Sequence, residues 1–120
     1  MKAISLRQPW AWAVIHASKD VINRPQGTRY RGPLLIHASR NYDRAGKAWI
    51  RRHIGVDVPP QLARGGIIGR VYLLGCTEEP RSAWFTGPLA LVLSEPTPLP
   101  FLTCPGDRGL FEAPNQGLLF

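Results

Sequence analysis

Residues 30–39 read Tyr30-Arg31-Gly32-Pro33-Leu34-Leu35-Ile36-His37-Ala38-Ser39, and the apolar run inside them sets the frame of the fold. Leu34 to Ala38 shows little polar alternation, so both faces of the segment are expected to be covered, which makes it a central strand. Just upstream, residues 23–33 are dense in Pro, Gly and Arg and read as a loop. Just downstream, Asn41 can cap a helix running to about His53. At helical periodicity Arg40, Arg44, Lys47 and Arg51 share one narrow stripe, with Tyr42, Ala45 and Trp49 opposite. Such a stripe reads as a solvated face before it reads as a dedicated contact.

Working outward, Ala3–Leu6 reads as a short strand. Pro9 suits the first turn of a helix, with Gln8 at its entry. Trp10 to Ala17 is apolar nearly all round, so that helix should be buried and should end near Ser18-Lys19. Residues 55–66, with Pro59-Pro60, form a linker too short to divide domains. Ile67–Cys76 is the longest expected strand, with Gly69 permitting a bend or bulge. Pro88–Ser94 is another strand. Residues 96–104 are interrupted by Pro98 and Pro100, so a strand there must lie at an edge. Leu110-Phe111 can add a last strand before a tail, Ala113 to Phe120, expected to be loosely ordered. The expectation is one domain over residues 1–120, of the α+β class: a mixed sheet or small barrel with helices on its outside.

Composition agrees, since 44% hydrophobic and 19% charged residues suit a globular chain rather than a disordered one. No apolar run approaches the roughly 18 residues of a membrane span, and Met1-Lys2-Ala3-Ile4-Ser5 shows no signal-peptide pattern. A cytoplasmic protein with no membrane partner is expected. Cys76 and Cys104 are then expected as free thiols rather than a disulfide. His16, His37 and His53 have no metal-ligand spacing with each other or with the cysteines, so no metal is expected. Gly65-Gly66 lacks the spacing of a nucleotide-binding loop, and nothing else points to a cofactor.

Charge is more informative. The chain holds 15 Lys and Arg against 8 Asp and Glu, a net +7. Residues 1–64 contain 12 basic and 3 acidic side chains (+9), whereas residues 65–120 contain 3 and 5 (−2). A basic half of this kind attracts polyanions, because each phosphate neutralised releases condensed counterions.

Three stretches occur in order: Ser5-Leu-Arg-Gln-Pro-Trp-Ala11, Ala17-Ser-Lys-Asp-Val-Ile-Asn-Arg-Pro25, and residues 30–39. Together with Gly69-Arg-Val71 and Ser82-Ala-Trp-Phe-Thr-Gly-Pro88 they resemble the ASCH domain family, a relative of PUA domains, over nearly the whole chain. The family signature reads Gly-x-Lys-x-x-Glu-x-Arg after an opening like Ser-x-x-Gln-Pro-Trp. The resemblance implies a small PUA-like β-barrel with a cleft lined by these motifs. It implies binding of RNA or single-stranded nucleic acid, or a coactivator-like interaction role. In some members it implies a ribonuclease, or an amidohydrolase of N4-acylated cytidine.

The chain keeps the cationic part of the signature, Lys19 and Arg24, but has Ala17 for the Gly and Ile22 for the Glu. Isoleucine offers neither a proton carrier nor a hydroxyl, so binding is favoured over hydrolysis. In that reading Arg7, Lys19, Arg24 and Arg31 meet phosphates, with Lys19 and Arg24 in a polar region outside the core. Gln8, His37 and Ser39 add polar contacts and Trp10 a stacking surface. Trp84 reads as core first and stacking surface second, Trp12 and Trp49 as packing. His37 is either a hydrogen-bonded core residue or a base. Asn23 is expected to face away from the cleft. Were the protein a hydrolase, Lys19 would be its catalytic amine, paired with a carboxylate such as Glu78 or Glu79. A helix C-terminus and Asp20 should both keep that amine protonated.

Overall fold

The computed structural model describes residues 1–114. Strand β1 (Lys2–Gln8) leads into helix α1 (Trp10–His16) and strand β2 (Val21–Arg24). Strand β3 (Gly32–Tyr42), helix α2 (Arg44–His53), β4 (Gly66–Thr77), β5 (Leu89–Thr103) and β6 (Leu110–Glu112) follow. The strands form one mixed sheet in the order β2-β5-β4-β3-β1-β6. Among the described residues only β1 and β3 run parallel, with Ser5 beside His37.

Leu34, Leu35, Ile36 and Ala38 are wholly buried, as a two-sided central strand requires. On one face Leu34 and Ile36 join Ile4, Val71, Leu73 and Leu91 against Ala11, Val14 and Ile15 of α1. On the other, Leu35 joins Ala3, Ile67 and Cys104. Burying a side chain of this size is worth about 1.5–3 kcal/mol, so this strand holds both layers. Gly69 lets α1 approach the sheet: a Cβ there would stand 2.5 Å from Ile15 Cδ1 and 2.8 Å from the Thr97 carbonyl oxygen.

Several expectations need correction. The sheet does not close into a barrel, because β2 and β6 are its two edges and do not pair with each other. It does bring them near one another: Arg24 Nη2 lies 3.9 Å from where a Cβ on Gly109, just before β6, would stand. Residues 23 and 24, expected in a loop, complete β2, whose backbone pairs antiparallel with β5. Residues 96–103 continue β5 rather than forming a separate element, and there they pair with β4 alone. Three prolines fit because that flank of the strand carries no partner. Pro9 occupies the N-cap position of α1, which ends at His16.

Asn41 belongs to β3, and Asp43 holds the N-cap position of α2. The buried face of α2 is Gly46 and Ile50 with half-buried Trp49, while Ala45 is exposed and Tyr42 and Arg40 precede the helix. Ala113 is buried, and its amide donates to the Met1 carbonyl at 3.1 Å. The rest of the expected tail, residues 115–120, lies outside the described residues. Among the described residues no helix is long and apolar enough to cross a membrane.

Candidate functional site

A cavity of about 520 Å³ opens where the unpaired end of β1 faces β2. Strand β1 supplies Ser5, Leu6 and Arg7, and β2 supplies Ile22 and Asn23. Among the described residues β6 pairs with residues 2–4 of β1, and no strand pairs the residues that follow on that edge. Trp10, Asp43, Gly46, Trp49, Trp84 and Thr86 complete the lining with Lys19.

Three tryptophans dominate the apolar wall. Trp10 and Trp49 meet edge to face with centroids 5.7 Å apart, and Trp49 and Trp84 lie tilted at 6.0 Å. Trp49, expected to do nothing but pack, lines the cavity. Gly46 permits the contact, since a Cβ there would stand 2.9 Å from the Trp10 ring. Opposite charges are built into the same wall. Trp10 Nε1 donates to Asp43 Oδ2 at 2.9 Å, and Arg7 Nη2 stands 3.7 Å from the same oxygen. Asn23 also lines the cavity: its Nδ2 donates to the Trp84 carbonyl at 3.1 Å and its Oδ1 accepts the Thr86 amide at 2.9 Å. Those two bonds hold the 84–86 loop in place as a rim.

Lys19 departs most from expectation. It is 5% exposed, not a surface cation. Its Nζ donates to the Val21 carbonyl and lies 5.8 Å from the Trp10 ring centroid. Burial lowers its pKa from 10.5 to about 8, against a smaller upward pull from Asp20. Asp20 is outweighed because removing an ammonium from water costs more than its carboxylate, exposed to solvent, returns. Among the described residues no carboxylate forms an ion pair with Lys19. Glu78 and Glu79 follow β4 on the exposed surface and do not line the cavity. The carboxylate that shares it is Asp43.

The other sequence candidates disperse. Gln8 is buried, with both ends of its amide used: Nε2 donates to the Ala63 carbonyl at 2.9 Å and Oε1 accepts the Trp12 amide at 2.8 Å. It satisfies the first turn of α1 in place of the side-chain cap that Pro9 cannot offer. Arg24 and Arg31 do not line the cavity; Arg31 Nη1 donates to the Tyr30 carbonyl at 2.8 Å. His37 and Ser39 line a second cavity instead.

In that second cavity His37 is 2% exposed and bonded at both ring nitrogens. Nε2 lies 2.8 Å from the Cys104 carbonyl oxygen and Nδ1 2.9 Å from Ser5 Oγ. A carbonyl only accepts, so the neutral ring carries its proton on Nε2, and Ser5 donates to Nδ1. Cys76 and Cys104 are free thiols, with burial raising the pKa of Cys104.

The Trp-lined cavity therefore combines indole rings, of which Trp49 already stacks on His53 with centroids 4.4 Å apart, with an amine of reduced basicity and a carboxylate held by an indole. No protein-family model matches the chain, and no curated protein matches it.

Proposed function

We propose that the protein is an ASCH-type, PUA-like domain that binds single-stranded RNA by taking one base into the Trp-lined cavity. The observation that carries this reading is the joint lining of one 520 Å³ space by Trp10, Trp49 and Trp84 with Lys19, Asp43 and Asn23. A cavity of this size matches a small-molecule site rather than a phosphate-tracking groove. Base stacking on an aromatic ring contributes about 1–3 kcal/mol, and the polar groups select the base edge. The basic half of the chain supplies attraction for the strand outside the cavity. Tryptophan fluorescence titrated with short single-stranded RNA and with nucleosides tests this. Saturable change with both supports the reading, and no change with either refutes it.

One observation favours a second reading, an amidohydrolase of an N4-acylated cytidine. Lys19, with its pKa lowered to about 8, is partly neutral near physiological pH and shares a cavity with the Asp43 carboxylate. A neutral amine of this kind can serve as base or nucleophile. Release of cytidine from N4-acetylcytidine by the native protein, lost in Lys19→Met, would establish it.

A further inference from the structure

The second cavity, of about 690 Å³, shares one lining residue, Ser5, with the first. Its character is different. Arg40 and Arg108 line it, and neither forms an ion pair among the described residues. Arg40 packs beside Gly65, another lining residue: a Cβ there would meet Arg40 Nε at 3.3 Å. Arg64 adds a third guanidinium close by, donating from Nη1 to the Arg40 carbonyl at 3.2 Å. Asp107, the one acid in this lining, accepts the Arg108 amide at 2.7 Å. Two guanidinium groups lining one concave space suit an oxyanion, above all phosphate.

Ser5 lines both cavities, and its Oγ lies 2.9 Å from His37 Nδ1. With a neutral ring whose Nε2–H is engaged by the Cys104 carbonyl, the Ser5 proton goes to His37 Nδ1. What Oγ has left is lone pairs, so it accepts a donor such as a sugar hydroxyl and is a poor partner for a phosphate oxygen.

We propose that the two cavities form one ribonucleotide site: base among the tryptophans, sugar hydroxyl donating to Ser5 Oγ, phosphate between Arg40 and Arg108. This inference rests on the base-binding reading above and narrows its ligand from a nucleoside to a phosphate-bearing ribose chain. Recognition of a 2′-hydroxyl is what separates RNA from DNA at such a site.

The test is tryptophan fluorescence titrated with the four ribonucleosides, the four matching ribodinucleoside monophosphates, and the 2′-deoxy forms of the latter. For the preferred base, the ribo dinucleotide should bind about ten-fold tighter than its nucleoside, as a charge-assisted phosphate contact implies. It should also bind more tightly than the deoxy form. Arg40→Gln and Arg108→Gln, both at exposed positions, should each remove most of the gain over the nucleoside. Millimolar inorganic phosphate should compete with the dinucleotide. If the dinucleotide binds no tighter than the nucleoside, or both arginine variants keep the gain, the phosphate assignment is wrong while the base pocket stands. Equal affinity for ribo and deoxy forms overturns the role of Ser5. If neither nucleosides nor dinucleotides change the fluorescence, the base-binding reading fails and this inference falls with it.

Discussion

Trp10 Nε1 donates to Asp43 Oδ2 at 2.9 Å, joining the first residue of α1 to the residue that opens α2. The two lie 33 positions apart, and the bond fixes both the ring and the carboxylate in the cavity wall. Asp43 holds the N-cap position of α2 but makes no side-chain cap bond. Its side chain serves the indole instead.

Asp43→Ala should therefore cost stability through the orphaned indole N–H rather than through a lost cap. The expected loss is about 1–2 kcal/mol, because a partly buried donor is left without its charged acceptor. Asp43→Asn keeps an acceptor oxygen and should lose clearly less. The Arg7 contact at 3.7 Å, made by a side chain 59% exposed, should add little. Urea denaturation of the three proteins measures the order, and equal losses for Ala and Asn would remove the hydrogen bond from the explanation.

Lys19 makes stability depend on alkaline pH. Its amine titrates at 10.5 in the unfolded chain and at about 8 in the fold. Between those values the unfolded chain binds the extra proton, so stability rises with pH from 8 to 10.5 and the burial penalty is fully present below 8. The rise attributable to Lys19 is about 3 kcal/mol at most. Lys19→Met should flatten this slope and raise the melting temperature at pH 7, since it replaces a buried cation with an apolar chain of similar length. An unchanged slope in the variant would mean that Lys19 is solvated in solution.

The central strand and the mixed sheet were legible because Leu34–Ala38 is apolar without alternation, a local pattern that burial on both faces dictates. Strand β2 was not, because its residues Val21–Arg24 run straight into Pro25 and Gly27 and pair only with the distant β5. The burial of Lys19 was hidden by its neighbours Ser18 and Asp20, both exposed. A lysine between two polar residues carries no local sign that its chain turns inward. Asp43 was missed as a site residue for a related reason. Its role depends on Trp10 reaching it across the fold, and nothing in the spacing of the two residues announces that contact. Gln8, by contrast, sits in a motif that invites a functional reading, but both ends of its amide are spent on the backbone.

Gly69→Ala should be among the most damaging small substitutions in the chain. The added methyl would stand 2.5 Å from Ile15 Cδ1 and 2.8 Å from the Thr97 carbonyl oxygen. Ile15 belongs to the core and the second contact is backbone, so relief needs α1 or β5 to move. Overpacking of this kind costs about 1–3 kcal/mol. Ile15→Val in the same chain should recover part of the loss by shortening the side chain in contact. Thermal melts of the single and double variants give the answer, and additive losses would show that the helix is not the obstacle.

Ile22→Glu tests how a carboxylate at position 22 would relate to Lys19. Ile22 is 4% exposed, packs in the main core and also lines the Trp-walled cavity. A glutamate there gives up apolar burial and places a carboxylate in a poorly solvated position, so a loss of several kcal/mol is expected. Lys19 lines the same cavity, and its Nζ bonds the carbonyl of the residue just before Ile22. An ammonium there should stabilise the new charge, and the carboxylate should in turn raise the depressed pKa of the amine. The two effects are one coupling, measurable by a double-mutant cycle with Lys19→Met. Ile22→Glu should be about 1–3 kcal/mol less damaging with Lys19 present than in the Lys19→Met background. The pH dependence should shift as well, because a paired lysine no longer loses its proton near 8, and the rise in stability above that pH should shrink. A coupling near zero would mean that the side chain at position 22 does not reach the amine. Ile22 would then be a core residue that borders the cavity, and a carboxylate placed there would leave the chemistry of Lys19 unchanged.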